Sequence, residues 1–247
     1  MEGRVRLDKF LVEKGMVRSR ERARDLIGAG RVKVDGEVVT KAGRAISPSC
    51  DVAVEGDDLR WVSKGGLKLE RAMQEWDIQP QGWICLDVGA STGGFTDVLL
   101  ALGAEKVYAI DVGHDQLDEK LRRDERVVNI EKINARKVDK GLIGEAIDFI
   151  CIDVSFISLT LIIPQVIRFL KADGEMVVLV KPQFEVGPEG VGKGGIVRDG
   201  RQRDEAIEKV RACCMGLQLA EIGIVSAPVL DKGKNREFLM YLKLGVY

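Results

Sequence analysis

The stretch Asp87-Val88-Gly89-Ala90-Ser91-Thr92-Gly93-Gly94-Phe95-Thr96 decides how the rest of this 247-residue sequence is interpreted. It closes an apolar run that begins at Trp83, and its glycines permit a tight turn from a strand into a helix, with close approach of the backbone to a ligand. By itself the turn is a weak signal, because many nucleotide-binding and cofactor-binding folds contain one. Its Gly-x-x-x-Gly-Gly spacing differs from the Gly-x-Gly-x-x-Gly pattern of dinucleotide dehydrogenases, which stay an alternative that NAD binding would decide.

Apolar runs of strand length surround this turn and are separated by segments long enough for helices. They cover residues 83–88, 106–110, 127–130, 147–152 and 176–180. This alternation predicts an α/β fold of the Rossmann-like kind, a mostly parallel sheet with helices on both faces. The last two runs, 219–225 and 238–244, are joined by a turn-rich stretch without room for a helix and predict an antiparallel C-terminal hairpin.

A small basic α+β domain is predicted at the front of the chain. Residues 1–50 carry twelve Lys or Arg against seven Asp or Glu, whereas the whole chain has a net charge of -1. Apolar spacing indicates one short helix that ends near Gly15 and a second that begins after Ser19 as N-cap and stops at Gly30. Asp35-Gly36 between two short apolar runs predicts a hairpin. We expect this domain to span 1–58, a linker 59–63, and the α/β domain 64–247.

Cations are concentrated in this front domain, and acidic partners at i,i+4 are too few to neutralise them. Clustered cations bind nucleic acid by releasing counterions from phosphates, although a solvated helix face is the simpler alternative. The pattern Arg6-Leu7-Asp8-Lys9-Phe10-Leu11, Ser19-Arg20 and Gly30-Arg31-Val32-Lys33 also resembles the S-four RNA-binding domain, which implies binding of structured RNA. The predicted RNA-binding residues are Arg6, Lys9, Arg18, Arg20, Arg24, Arg31 and Lys33.

An acidic residue that opens the glycine turn, as Asp87 does, is more typical of methyltransferases than of dehydrogenases. There it serves the methionine end of S-adenosylmethionine, while Asp111 at the next strand end can accept the ribose hydroxyls. Asn134 is placed on the adenine side. The predicted cofactor-binding residues are Asp87, Gly89, Ala90, Ser91, Gly93, Gly94, Phe95, Asp111, Asn134 and Asp153.

Two later strands end in residues whose side chains could take part in catalysis, Asp153 and Lys181. Ligands of such sheets bind at the carboxyl ends of the strands, so these residues are expected side by side at the cofactor crevice. An Asn-Pro-Pro-Tyr motif for amino-group methylation is absent from the sequence, and no cysteine lies where a nucleophile would be needed. Of the acceptors considered, an oxygen atom is the one that remains for methyl transfer.

Four motifs between residues 61 and 199 point to a more specific family resemblance. Trp61-Val62-Ser63-Lys64-Gly65-Gly66-Leu67-Lys68-Leu69, the glycine turn, Lys181-Pro182-Gln183-Phe184-Glu185 and Gly194-Gly195-Ile196-Val197-Arg198-Asp199 together resemble the TlyA (haemolysin A) family. These are ribosomal RNA 2′-O-methyltransferases with a catalytic domain like that of the FtsJ methyltransferases. The resemblance implies S-adenosylmethionine as cofactor, ribosomal RNA or ribosomal subunits as partner, and a catalytic tetrad of Lys68, Asp153, Lys181 and Glu237.

We expect the four residues of the tetrad to have separate roles. We expect Lys181 to accept or stabilise the proton that leaves the ribose hydroxyl, with Asp153 holding that lysine and Glu237 orienting Lys68 or the ribose. The glycine-rich stretch 186–200 is predicted to be a mobile lid or an RNA-facing loop, with a surface loop of no role as the alternative.

Other classes are less well supported by the composition. No run of eighteen apolar residues exists, so neither a membrane span nor a membrane-lytic haemolysin is favoured. One histidine and five cysteines without C-x-x-C spacing predict no metal site and reduced thiols in a cytoplasmic protein. A non-enzymatic RNA-binding factor stays open, and a cofactor titration would decide it.

Overall fold

The computed structural model describes residues 4–17, 19–55, 60–139, 141–230 and 233–245. The chain divides into two compact units, Met1–Ser63 and Lys64–Tyr247. Within its described residues, the small unit has helices α1 and α2 and five short strands. Their bounds are β1 Val5–Arg6, α1 Leu7–Glu13, α2 Arg20–Gly28, β2 Val32–Val34, β3 Glu37–Val38, β4 Ala45–Ile46 and β5 Val52–Val54.

Local signals explain the small unit. Ser19 Oγ accepts a hydrogen bond from the backbone N–H of Arg22 and so caps α2, as its sequence predicts. Asp35 and Gly36 have φ values of 51° and 82°, which join β2 and β3 through the tight hairpin turn that Asp-Gly favours. The strands form a three-stranded antiparallel sheet, β3-β2-β5, and a two-stranded one, β1-β4. Apolar residues of both helices and of these strands form the core of the unit.

The large unit has seven strands and six α-helices within its described residues. The strands are β6 Ile84–Val88, β7 Lys106–Ile110, β8 Val127–Ile130, β9 Ile147–Ile152, β10 Leu170–Val180, β11 Leu219–Ser226 and β12 Phe238–Leu244. The helices are α3 Gly65–Glu75, α4 Gly94–Ala101, α5 Glu119–Arg122, α6 Ile163–Val166, α7 Pro182–Glu185 and α8 Gly200–Gly216.

All seven strands belong to one sheet, in the order β11-β12-β10-β9-β6-β7-β8. Strands β6 to β10 are parallel, and β12 lies antiparallel between β10 and β11. The mostly parallel sheet and the antiparallel C-terminal hairpin are therefore confirmed. The chain leaves β6 toward β7 and β8 and returns on the other side of β6 as β9. This reversal creates a crevice at the carboxyl ends of β6 and β9, where such sheets bind ligands.

Regular helix is scarcer between the strands than the alternation predicts. Four-residue helices, α5 and α6, stand in two of the connections, and the described residues between β8 and β9 form only a 3₁₀ turn at Ala135–Lys137. The longest helix, α8, instead precedes the C-terminal hairpin. Apolar connecting segments can cover a sheet without forming a long helix, because burial of side chains does not require helical backbone. The strand residues Leu86, Ile150 and Val178 are fully buried in the resulting core.

Candidate active site

The carboxyl ends of two neighbouring strands bring Asp153 and Lys181 into contact. Asp153 follows β9 and Lys181 follows β10, and the two strands pair in parallel. Lys181 Nζ lies 2.5 Å from Asp153 Oδ1 and donates a hydrogen bond to Ser155 Oγ at 3.0 Å. Lys181 is 8% exposed, so its ammonium is compensated by a carboxylate and a hydroxyl rather than by bulk water.

Lys68 and Glu237 extend this pair. Lys68 belongs to α3 and Glu237 directly precedes β12. Lys68 Nζ lies 2.6 Å from Glu237 Oε2 and 3.9 Å from Asp153 Oδ2. The resulting array Glu237–Lys68–Asp153–Lys181 alternates in charge, and its side chains are between 10% and 20% exposed. A balanced, partly desolvated array of this kind can fix a polar substrate group and move its proton.

The glycine turn lies directly against the backbone of Asp153. Gly89 has a φ of 85°, and a Cβ atom there would lie 2.3 Å from the carbonyl oxygen of Asp153. The N–H of Asp153 in turn donates to the Val88 carbonyl at 3.0 Å. Only glycine allows this approach, so the turn after β6 and the charged array after β9 form one continuous site.

Side chains of the turn differ in what they can offer a ligand. Ala90 and Phe95 are 8% and 4% exposed, so both residues are largely buried within the protein. Gly93 has a φ of 95° and directly precedes α4, whose first residue is Gly94. Helix N-termini present free N–H groups and a partial positive charge to a ligand. The N–H groups of Gly89, Ala90, Ser91, Gly93 and Thr96 donate within the protein, so donors for a ligand would come from the start of α4.

Asp87 is completely buried beneath this turn. Its Oδ2 accepts hydrogen bonds from the N–H and the hydroxyl of Thr96, at 3.0 and 2.7 Å. Its Oδ1 is also buried and has no hydrogen-bond partner among the described residues. Burial raises the pKa of Asp87 to about 7, against the lowering effect of the Thr96 hydrogen bond. Asp87 was predicted to contact the methionine end of a cofactor. For that contact to form, the cofactor must reach this buried carboxyl group from the turn.

Asp111 is tied to the same turn. Its Oδ2 accepts from the N–H of Ser91 at 2.8 Å, and its Oδ1 accepts from the N–H of Gly113 at 2.6 Å. Each carboxylate oxygen has a second acceptor position, so both remain able to accept a hydroxyl. Asn134 is exposed and caps the 3₁₀ turn at Ala135–Lys137 by accepting from the N–H of Arg136.

Two residues beside the array were missed by the sequence reasoning. One is Ser155, which accepts a hydrogen bond from Lys181. Phe156 is 91% exposed, has a φ of 63°, and packs its ring 5.1 Å from that of Phe184. A large aromatic held outward in a strained backbone conformation beside a polar site is a candidate for stacking on a ligand. The signal in the sequence is its position three residues after Asp153.

The glycine-rich stretch 186–200 is partly ordered by one asparagine. Asn235 Oδ1 accepts from the N–H of Val197 at 2.8 Å, and its Nδ2 donates to the Gly195 carbonyl at 2.7 Å. Asn235 stands two residues before Glu237, so these bonds connect the loop to the segment that supplies the array. A bridge between Gly192 and Ile196 also folds the loop on itself. The lid prediction stays a prediction.

The predicted RNA-binding cations of the small unit lie on its surface, but most are ion-paired. Arg6, Arg20 and Arg24 share the carboxylate of Asp8, Lys9 pairs with Glu13, and Lys33 pairs with Glu55. Counting i,i+4 partners along the helix could not find Asp8, because it belongs to α1 and pairs through the tertiary fold. Arg31 is exposed. Arg18 lies outside the described residues.

His114, the single histidine, lies beside Asp115 and Glu131, with their potential ligand atoms within 4.8 Å of one another. Glu131 accepts hydrogen bonds from the N–H groups of Asp115 and Gln116, so its carboxylate holds this turn together. All five cysteines are free.

Both units match known protein families. The family model "FtsJ-like methyltransferase" matches residues 61–244, and the S4 domain model matches residues 5–52. Within the described ranges, no helix is both long and apolar enough to cross a membrane.

Relatives match over nearly the whole chain. The 16S/23S rRNA (cytidine-2′-O)-methyltransferase TlyA of Mycobacterium tuberculosis is 42% identical over 98% of this chain and 91% of its own. Hemolysin A of Brachyspira hyodysenteriae is 41% identical over 96% of this chain and 99% of its own. A solved structure from Streptococcus thermophilus that carries the name hemolysin is 39% identical, covers 99% of this chain and 90% of its own, and superposes with a TM-score of 0.78. The chain therefore belongs to the TlyA family, which joins an S4 domain to an FtsJ-like methyltransferase domain.

Proposed function

We propose that this protein transfers a methyl group from S-adenosylmethionine to a ribose 2′-hydroxyl of ribosomal RNA in the cytoplasm. The observation that carries the proposal is the contact between the glycine turn and the Glu237–Lys68–Asp153–Lys181 array, at the crevice where β6 and β9 part. The TlyA relative named above acts, by its name, on cytidine 2′-hydroxyls of 16S and 23S rRNA. We extend that substrate class to this chain.

Features of the turn fit S-adenosylmethionine. The orphaned Oδ1 of Asp87 is an acceptor in need of a donor, and the absence of a side chain at Gly89 lets the turn lie against the backbone of Asp153. Asp111 is positioned to accept ribose hydroxyls, and Asn134 lies exposed on the adjoining loop. When bound, the cofactor supplies an electrophilic sulfonium methyl group.

The array would act on the other reactant. A ribose hydroxyl is a weak nucleophile while protonated, and it must approach the methyl carbon in line. As the new C–O bond forms and the bond from the methyl carbon to the sulfonium sulfur breaks, we assign Lys181 the role of orienting the hydroxyl and of either accepting its proton as the neutral amine or stabilising the developing alkoxide as the ammonium. Asp153, in contact with both lysines, holds Lys181 in place, and Glu237 fixes Lys68. Such positioning can lower a barrier by roughly 7–11 kcal/mol in favourable intramolecular cases.

The substrate hydroxyl must be presented on a structured RNA. We assign this to the small unit, whose exposed cations can bind phosphates, and to Phe156, whose ring can stack on a base near the array.

The test uses isolated ribosomal subunits and S-adenosylmethionine labelled in the methyl group. We expect label in a ribose 2′-O-methyl group, mapped by nuclease digestion and mass spectrometry. The Lys181→Met variant should bind the cofactor as tightly as the unaltered protein, measured by calorimetry, and lose methyl transfer by on the order of a hundredfold or more. Normal turnover in this variant would remove Lys181 from the mechanism. Absence of cofactor binding in the unaltered protein would leave only the RNA-binding role.

A further inference from the structure

Glu185 is a buried carboxylate of the large unit that takes no part in the charged array. It ends α7, and its side chain is 1% exposed. Its Oε2 accepts from the hydroxyl of Ser158 at 2.5 Å, and its Oε1 accepts from the N–H of Leu159 at 2.7 Å. A carboxylate is costly to bury, and hydrogen bonds to it are stronger than those between neutral groups. Glu185 therefore holds Ser158 and Leu159 firmly.

These two hydrogen bonds join the segments that supply the centre of the array. Residues 153–159 follow β9 and residues 181–185 follow β10. The ion pair of Lys181 with Asp153 joins the segments where they leave the sheet. Glu185 joins them again at their far ends, a connection that we call the Glu185 tether. A segment held at both ends has less conformational freedom than one held only by its strand.

The middle of the first segment depends on such support. Phe156 has a φ of 63°, and a bulky residue keeps that conformation only where its surroundings impose it. Its ring centroid lies 5.1 Å from that of Phe184, the residue before Glu185. Its neighbour Ser155 accepts from Lys181. Loss of the tether would therefore loosen the residues that face a ligand.

Lys209 fixes the tether to the longest helix. Its Nζ donates to the backbone carbonyl of Glu185 at 2.7 Å and lies 3.4 Å from Glu185 Oε2. Lys209 belongs to α8, which has 17 residues. A partner of opposite charge reduces the cost of burying the carboxylate, and the bond to the carbonyl fixes the end of α7 against α8. The tether is thus attached to a rigid element.

We propose that Glu185 is a positioning residue for methyl transfer, which sets Asp153 and Phe156 in register with Lys181 through its hold on Ser158 and Leu159. This rests on the proposed function in one respect, that the array acts on the ribose hydroxyl. The alternative is a carboxylate that caps the 3₁₀ turn at Leu159–Leu161 and stabilises the fold alone. A misplacement of about 1 Å can cost roughly a hundredfold in rate, so the two roles differ in kcat.

The main test compares two substitutions of Glu185. Glu185→Ala removes the tether, and kcat at saturating ribosomal subunits and cofactor should fall on the order of a hundredfold. The Kd of the cofactor, measured by calorimetry, should stay the same, because the loss affects the reacting groups and not the glycine turn. Glu185→Gln keeps the tether, since its amide oxygen can accept from Leu159 and its amide nitrogen can donate to Ser158. It should recover kcat to within about tenfold of the unaltered protein, with neutral bonds in place of stronger ones.

The matched control for lost stability is Ile147→Val. Ile147 is fully buried at the amino end of β9, the opposite end of the strand from Asp153. Loss of one methyl group there should lower Tm by about 1–6 °C and leave kcat unaltered in assays well below Tm.

A second pair of variants covers the case in which Glu185→Ala does not fold, as judged by circular dichroism. Ser158→Ala removes one bond of the tether and leaves those of Glu185 with Leu159 and Lys209, and kcat should fall about tenfold. Its control is Thr160→Val, which removes the 2.7 Å hydroxyl contact of Ser158 with Thr160 but leaves the tether, and should keep normal kcat.

Three results would overturn the inference. They are a folded Glu185→Ala variant with kcat within about threefold of the unaltered protein, a Glu185→Gln variant no more active than the alanine variant, and full kcat in Ser158→Ala. If the unaltered protein itself transfers no methyl group, the proposed function fails. If it does and Glu185→Ala is equally active, the tether alone fails.

Discussion

A single methyl group added at Gly89 should disturb both the fold and the chemistry of the large unit. In Gly89→Ala the new Cβ would lie 2.3 Å from the Asp153 carbonyl oxygen and 3.0 Å from its carbonyl carbon. An ordinary contact would need about 1 Å more, so either the turn or Asp153 must move by that amount. The φ of 85° at this position adds backbone strain, because an L residue rarely adopts it.

The magnitude follows from these two effects. Left-handed backbone costs a non-glycine residue about 1–2 kcal/mol, and overpacking typically costs a further 1–3 kcal/mol. We expect the free energy of unfolding to fall by about 2–5 kcal/mol, which lowers Tm by on the order of 4–20 °C in a domain of this size. A shift of about 1 Å in the backbone of Asp153 would also displace its contact with Lys181 and can reduce turnover about a hundredfold.

Urea denaturation and methyl-transfer kinetics would be measured on the same preparations. Gly144→Ala is the matched control, because no atom lies within 4 Å of its Cβ position and its φ is not in the left-handed region. The control should change the free energy of unfolding by less than about 1 kcal/mol and leave turnover unaltered. If Gly89→Ala were as stable and as active as this control, the close approach of turn and array would be wrong.

Two further predictions concern Asp87 and Phe156. Burial raises the pKa of Asp87 from 3.8 to about 7, so the folded state favours the neutral carboxyl group. The contribution of Asp87 to the free energy of unfolding is therefore complete below about pH 4 and is lost as pH rises through 7. The difference in unfolding free energy between the unaltered protein and Asp87→Asn, measured in urea across pH 4–8, should therefore change by on the order of 4 kcal/mol, whereas a flat difference would contradict the raised pKa. Phe156→Ala should weaken turnover on ribosomal RNA about tenfold or more, while cofactor affinity measured by calorimetry stays the same. Phe156→Tyr, which keeps a ring, should restore turnover, and equal activity of the alanine variant would remove the stacking role.

Strand positions were accessible to sequence reasoning because burial on both faces produces uninterrupted apolar runs. The predicted strands at 106–110, 127–130, 147–152 and 238–244 coincide with β7, β8, β9 and β12. Strand β10 begins earlier than predicted, at Leu170, because its first part carries charged residues that pair at the end of the sheet. An example is Lys171, whose Nζ lies 2.5 Å from Asp148 Oδ1.

Helices between the strands were less accessible. The connecting segments have apolar residues that cover the sheet, yet α5 and α6 have four residues each. Spacing of apolar residues reports which side chains are buried, and it does not report whether the backbone between them closes a regular helix.

The residues of the candidate site also differ in how far the sequence could place them. Asp153 and Lys181 could be placed together from the sequence, because both directly follow strands of a parallel sheet. Lys68 and Glu237 could not, since they are 169 positions apart in the chain, and only the resemblance to a family selected them. Phe156 was missed because exposure and a positive φ are properties of the folded backbone.

The sequence by itself determined the type of each half: a basic α+β module, and a parallel sheet with a glycine turn at its first strand. Those features depend on local backbone preferences and on which side chains avoid water, and both are encoded residue by residue. Tertiary structure alone decided which charges meet. The approach of Gly89 to Asp153, the four-residue array, and the contacts of Arg20 and Arg24 with Asp8 join positions that are distant in sequence. Their strength depends on distance and burial, which only the folded chain sets.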